Sequence, residues 1–251
     1  MQILLACAKI MNERCRTVER PLTIPRFEPE AETFVRDMQQ YDEATVAEML
    51  SVSETIAREN VLRYRAFFGC EPMPAILAYH GQAYKHLKAE TLTDVQLEYA
   101  HRHVWICSFL YGLLRPLDGI RPYRLEGNLY LPSAEDGTLF EFWRKRLTDM
   151  LIEAVKADDG VLVHLATEEF QHLFDWARVC REVRVVQPLF YVRTAGGLKM
   201  QAVWAKSCRG AMTRWLLEHP SVSKDELCGF AYEGFRFAPE MSDEKLIFVK
   251  D

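Results

Sequence analysis

Between Glu182 and Glu218 the chain carries no Asp or Glu, while Arg184, Arg193, Lys199, Lys206, Arg209 and Arg214 place six positive charges there. The formal net charge of the whole chain is −5, so the remainder carries −11 and the stretch is a local cationic surface on an acidic protein. An ammonium or guanidinium close to a helix start, where backbone N–H groups lack partners, holds a phosphate or carboxylate. Lys206, Arg209 and Gly210 have that placement if a helix begins after Ala205. The same residues also suit a surface on which Arg and Lys stems cover Trp204 and Trp215, or pair with carboxylates elsewhere.

A second constellation runs from Ser108 to Glu126. The spacing predicts a long helix reaching Gly112, which Pro116 and Pro122 stop from continuing, so the chain must turn tightly. Tyr111-Gly112-Leu113, an apolar-Gly-apolar turn behind a helix, is similar to half of a helix-hairpin-helix, in which hairpin amides bind a nucleic-acid phosphate. Arg115, Arg121 and Arg124 would surround that turn. Against this, such hairpins carry a second glycine where this chain has Leu114, and Gly112 also fits the plain end of a helix.

Metal and nucleophile chemistry are weaker. Glu98-x-x-His101 and Glu169-x-x-His172 have the spacing of di-iron carboxylate proteins, but that site needs four long helices, and the second copy follows a strand. His101 and His103 point to different faces of a helix and cannot chelate together. No metal and no cofactor are expected. Cys7 near Lys9, or Cys107 beside Ser108, could act as an activated nucleophile, but buried structural cysteine is the stronger reading of both. No Gly-x-Ser-x-Gly, Walker or dinucleotide glycine pattern occurs.

Seven cysteines, Cys7, Cys15, Cys70, Cys107, Cys180, Cys208 and Cys228, are odd in number and never form a Cys-x-x-Cys pair, which predicts reduced thiols. Met1 to Cys7 lacks the charged start of a signal peptide and no apolar run is long enough to span a bilayer, so a cytoplasmic protein is expected. The net negative charge repels polyanions, so any such partner must meet a local site.

The elements that would position these residues alternate strand and helix. Gln2 to Ala6 predicts a buried strand delivering Lys9 to its carboxyl end, and Asn12 to Pro29, with three prolines, an extended excursion. Helical periodicity runs from Glu30 to Phe68 with breaks at Tyr41-Asp42 and Ser51 to Glu54, where Ser51 and Glu54 have capping-box spacing. Pro74 to Tyr79 predicts a second strand. Thr93 with Gln96 opens the long helix, Thr138 with Glu141 another over Leu139 to Lys156, and Val161 to Ala166 a strand. Val183 to Tyr191 and Leu198 to Ala205 predict an antiparallel pair around Gly196-Gly197, followed by a helix over Ser207 to Leu217 and strands at Phe230 to Phe237 and Lys245 to Val249. The composition, 49% apolar and 27% charged, is that of a globular chain, and one α/β domain over residues 1–251 with a mixed sheet flanked by helices is expected.

Taken in order, these segments resemble the YaaA family of bacterial peroxide-stress proteins. The pieces that carry the resemblance are Ala8-Lys9, Ala75-Ile-Leu-Ala-Tyr-His-Gly-Gln-Ala-Tyr84, Phe109-Leu-Tyr-Gly-Leu-Leu-Arg-Pro-Leu-Asp118, Pro122-Tyr-Arg-Leu-Glu126, Phe142-Trp143, Leu165-Ala166 with Glu169, and Ala205-Lys206 with Arg209-Gly-Ala-Met212. Where the family usually has Ser-Pro before Ala-Lys, this chain has Ala6-Cys7. The resemblance implies a family-specific single-domain α/β fold with a positively charged cleft and a helix-hairpin-helix-like element associated with sequence-independent binding of double-stranded or branched DNA. It also implies a role in limiting free intracellular iron during hydrogen peroxide stress. By themselves the residues support a local cationic surface; Lys9, Arg115, Lys206 and Arg209 coincide with the family's motifs and are expected to converge on one site, serving either DNA without catalysis or a small phosphate- or carboxylate-bearing ligand.

Overall fold

Ile3, Leu4 and Leu5 are buried on both faces, so the first strand must lie in the middle of a sheet. The computed structural model describes residues 1–12, 21–135, 137–241 and 245–251. In chain order the first half comprises β1 (Gln2–Ala6), α1 (Glu28–Met38), α2 (Glu43–Leu50), α3 (Glu54–Ala66), β2 (Met73–Pro74), α4 (Ala75–Ala78), α5 (Gln82–Leu87), α6 (Asp94–His103), β3 (Val104–Ser108), β4 (Gly112–Leu114) and β5 (Gly119–Ile120). The second half comprises α7 (Leu139–Lys156), β6 (Val161–His164), α8 (Trp176–Glu182), β7 (Arg184–Val186), β8 (Pro188–Thr194), β9 (Gly197–Lys199), α9 (Ala202–Glu218), β10 (Arg236–Phe237) and β11 (Leu246–Lys250).

The main sheet has the order β4-β3-β1-β6-β7, with β3, β1, β6 and β7 parallel and β4 antiparallel at the edge. The chain leaves β1 toward β3 on one side and returns to β6 on the other. That reversal opens a crevice beyond the carboxyl ends of β1 and β6, the place where open parallel sheets bind ligands. A second sheet, β10-β11-β8-β9, has its own small aromatic core in which Phe190 stacks on Phe248 at 5.4 Å and meets Phe230 and Phe235 edge-on. The expected mixed-sheet α/β class is what the chain adopts.

Several expectations hold in detail. The capping boxes at Thr93/Gln96 and Thr138/Glu141 are both formed, and β8 and β9 pair as a hairpin with Thr194 opposite Gly197 across Ala195-Gly196, although the strand expected over Val183 to Tyr191 is broken at Gln187 into β7 of the main sheet and β8 of the second. Residues 13–20 of the expected excursion lie outside the described residues; beyond them Thr23 lies extended against Leu117 and Gly119, with its hydroxyl donating to Asp118 at 2.7 Å.

Others need correction. The long helix ends at His103, and Val104–Ser108 is a strand whose five residues are all buried. A helix there would have had to bury its whole circumference, whereas a strand between β1 and β4 buries both faces at no cost to hydrogen bonding. Tyr111 and Gly112 therefore sit in a strand-turn-strand, β3 to β4, and the helix-hairpin-helix-like element expected here is replaced by a β-hairpin. The hairpin is fixed by Ser108, whose Oγ accepts from the amides of Leu110 and Tyr111, and by the positive φ of Gly112 (72°), where an added Cβ would come within 2.7 Å of the Trp143 ring.

Pro74 to Tyr79 forms only a two-residue strand and a one-turn helix, because Pro74 lacks an amide to extend a ladder. Ser51 is the left-handed end of α2, and the residue before α3 is Ser53, so Ser51 and Glu54 make no capping box. Helix α9 starts at Ala202, not after Ala205, which puts Lys206 in its second turn. In the region from Phe230 to Phe237 only Arg236–Phe237 pairs as a strand.

Candidate functional site

At the crevice beyond β1 and β6 lies a cleft of about 430 Å³. Its floor is apolar, built from Leu5, Phe109, Tyr123, Leu125, Leu165 and Phe170. Its charges come from separate parts of the chain: Lys9 just after β1, Lys85 in α5, Arg124 in the segment after β5, and Lys206 and Arg209 in α9. Glu169, after β6, is the one carboxylate lining it among the described residues.

The two helices that carry these groups are locked together. Gln82 donates to Ser207 Oγ at 3.0 Å, and Gly210 lets α9 touch the backbone of α5 at Ala83, so close that a Cβ on Gly210 would lie 1.8 Å from the Ala83 carbonyl oxygen. With Gly210 and Ser207 turned toward α5, the neighbouring face of α9, Ala202, Lys206 and Arg209, fronts the cleft. Gly81 permits a second close approach, since a Cβ there would meet the Ala8 methyl at 2.7 Å.

The cations differ in availability. Lys9 pairs with Glu126 Oε1 at 2.8 Å, and Arg124 reaches the same oxygen at 3.5 Å. Arg124 is anchored further by the Tyr64 hydroxyl, which donates to its carbonyl, while its buried Nε has no acceptor among the described residues. The side chains of Lys85, Lys206, Arg209 and Glu169 make no ion pair or hydrogen bond among the described residues. Lys85 and Lys206 are exposed at the rim, whereas Arg209 is recessed, and burial pulls its guanidinium below the usual range against the opposing pull of Glu168. Burial also pushes the Cys7 thiol in the cleft wall up to about 12, helped by the negative charge of Glu169 and Glu126. It is therefore a neutral group at physiological pH, not an activated nucleophile.

Behind the floor, Tyr79, Tyr123 and Ser108 share hydrogen bonds of 2.7 and 2.6 Å, and Tyr84 donates to the carbonyl of Ala6 at 2.9 Å. Burial raises all three phenols well above their ordinary values, so they remain neutral hydrogen-bonding struts that hold the strand ends in place.

His164, at the end of β6, is 1% exposed; its Nε2 lies 3.2 Å from Gln171 and its Nδ1 has no partner among the described residues. Burial and then the charge of Arg209 pull it down to about 3. The folded imidazole stays neutral, while the unfolded one takes a proton below about pH 6.5, so this contribution to stability is intact above that value and drains as pH falls toward 3. The expected outcome is a loss of about 2 kcal/mol of unfolding free energy between pH 7.5 and pH 5 that His164→Gln removes. Urea midpoints of the two proteins at both pH values check it, and parallel losses in the two would contradict it.

Of the residues singled out from sequence, Lys9, Arg124, Lys206 and Arg209 meet at this cleft, and Gly210 holds the helix that carries two of them. Tyr111 and Gly112 are core: the Tyr111 hydroxyl accepts from the Arg121 amide at 3.1 Å, and Gly112 packs on Trp143. Arg121 donates to the Cys70 carbonyl and faces Glu28. Arg115 lies at the opposite end of the strands. Its guanidinium sits 3.1 Å from the centre of the Trp105 ring and donates to the carbonyls of Arg102 and Val104 at the amino end of β3, and burial lowers it to about 10. The expected four-residue convergence is thus three of those residues plus Arg124. Lys85, Glu126 and the floor aromatics escaped the sequence reading, although Arg124 and Glu126, two apart in an extended segment, share one side and were a usable signal.

The histidines of the two Glu-x-x-His matches are structural. His101 Nδ1 accepts from the Leu117 amide at 3.3 Å, and His172 packs edge-on against Phe140. Among the described residues no group of three or more His, Cys, Asp or Glu is arranged to hold a metal ion, and no helix is long and apolar enough to cross a membrane.

The whole chain has recognisable relatives. A family profile described as "Peroxide stress protein YaaA" matches residues 1–241. A UPF0246 protein of Bacteroides thetaiotaomicron is 44% identical over 253 residues, covering 99% of this chain and 98% of its own length. One from Bacteroides fragilis is 43% identical over 252 residues with the same coverage, and one from Porphyromonas gingivalis is 41% identical over 256 residues and the full length of both chains.

Proposed function

The chain belongs to the YaaA family of peroxide stress proteins, and from that premise we propose that its cleft binds the phosphate backbone of DNA without regard to sequence, as part of a cytoplasmic response that limits free iron and so limits oxidation of DNA. The observation that carries the reading is the meeting of Lys9, Lys85, Arg124, Lys206 and Arg209, from four separated segments, on one face of a protein whose net charge is −5. Cations concentrated against the sign of the whole molecule mark a place where an anion is meant to stop. Rim ammonium groups on flexible stems suit repeated phosphates, which position a nucleic acid without reading it.

The expected result is duplex binding whose logarithm falls linearly with the logarithm of salt, and a slope that Lys206→Ala with Arg209→Ala reduces by about 2, with affinity near 0.1 M salt lower by about 10- to 100-fold. Fluorescence anisotropy with a labelled duplex and a four-way junction across a salt series measures both. An unchanged slope and affinity in the double variant would sink the assignment. The iron arm predicts a larger chelatable iron pool under hydrogen peroxide in cells lacking the protein, restored by the wild type.

A second reading, a small phosphate- or carboxylate-bearing ligand, is favoured by the recession of Arg209 and by a volume within the roughly 300–1,000 Å³ of small-ligand sites. Competition of duplex binding by inorganic phosphate or a mononucleotide at millimolar concentration separates it from the first.

A further inference from the structure

A duplex laid across the cleft reaches Lys9, Lys85 and Lys206 at the rim, yet it is too broad to enter, and this leaves four features without a task. The floor is apolar, and two of its side chains, Phe109 and Phe170, stack face to face at 4.9 Å with an interplanar angle of 5°. Arg209 is recessed, and the buried Arg124 Nε has no acceptor among the described residues. Glu169 is a carboxylate whose side chain has no protein donor among the described residues, in a site whose other charged lining groups are positive. Finally, Ile10 and Val203 line the mouth while 62% and 63% exposed, large apolar side chains placed among lysines.

One ligand accounts for all four. We propose that the cleft receives a single unpaired nucleotide turned out of a DNA strand, a step that rests on the DNA-binding reading and gives it a substrate class. The flat base lies over the apolar floor, where Leu5, Leu165 and Phe170 are each 5% exposed or less and meet it with small apolar facets. Its edge N–H groups donate to Glu169, an acceptor-only group when ionised. The phosphates flanking the extruded nucleotide follow it inward to direct contact with Arg209 and Arg124, whose charges a paired backbone meets only at longer range. Ile10 and Val203 press into the gap left in the stack, as apolar wedges do where a protein unstacks a base step. Unpairing a base costs a few kcal/mol and costs least where it is already unpaired, so bulged and damaged sites are the preferred targets.

The test compares a fully paired duplex with the same duplex carrying one bulged cytosine, by anisotropy at fixed salt, with the ratio of the two affinities as readout because it cancels general electrostatics. The expected ratio is about tenfold in favour of the bulge for the wild type, falling toward one in Ile10→Ser with Val203→Ser, whose changes are at exposed positions. Equal affinity of wild type for both duplexes overturns the nucleotide pocket and leaves the phosphate reading standing. Binding to neither brings down both. A tenfold ratio that survives in the double variant places the recognition elsewhere and overturns the proposal as well.

Discussion

Gly210→Ala is expected to cost about 3 kcal/mol or more of folding stability, in a helix where the same change elsewhere would be favourable. Glycine inside a helix is worse than alanine by roughly 1 kcal/mol, so intrinsic propensity argues for a gain. Packing decides otherwise. The added methyl would sit 1.8 Å from the Ala83 carbonyl oxygen, and the obstacle is backbone, which no smaller side chain at position 83 can relieve. Helices α5 and α9 must separate, breaking the Gln82 to Ser207 hydrogen bond and moving Lys206 and Arg209 relative to Lys85. Chemical denaturation gives the stability, and the duplex affinity of the remaining folded fraction is expected to fall with it. A variant as stable as wild type would show that the crossing is looser than described.

Glu126→Gln is expected to push stability and binding in opposite directions. The Glu126 side chain is 11% exposed and neutralises Lys9 at 2.8 Å and Arg124 at 3.5 Å. Removing one member of a buried charge set leaves the others uncompensated, a loss of roughly 3–5 kcal/mol when all are enclosed. Because the Lys9 side chain is 58% exposed and screened by solvent, about 2–3 kcal/mol is the expected loss here. The same change frees two cations at the mouth of the cleft and removes a repelling charge, so duplex affinity near 0.1 M salt is expected to rise several-fold. Reduced stability with unchanged affinity would mean that Lys9 and Arg124 serve the fold and do not touch the anion.

What could be read from sequence follows from how each signal arises. β1 was legible because an apolar run bounded by Lys9 has no other good fate, and the capping boxes because their chemistry is local. Val104–Ser108 was not, since a strand buried on both faces that follows a helix without a loop has the same composition as a buried helical continuation. Arg115 misled for a related reason. Its charge is visible in the sequence, but its direction depends on which end of the strands the hairpin returns to, a matter of topology. Lys206 and Arg209 survived a wrong helix start because three or four residues of shift leave them on one face together.

The neutral thiol beside the cleft has a chemical consequence for a protein of a peroxide-stress family. Hydrogen peroxide oxidises thiolate to sulfenic acid and reacts poorly with the protonated form. With Cys7 pushed up to about 12 by burial, the reactive anion is scarce at pH 7. Cys208, on the helix that bears Lys206 and Arg209, is raised to about 12 by the same burial. Sulfur at the cleft is thus held in its slow-reacting form, and the wall that Lys9 extends from keeps its shape through an oxidative burst that consumes more acidic thiols first.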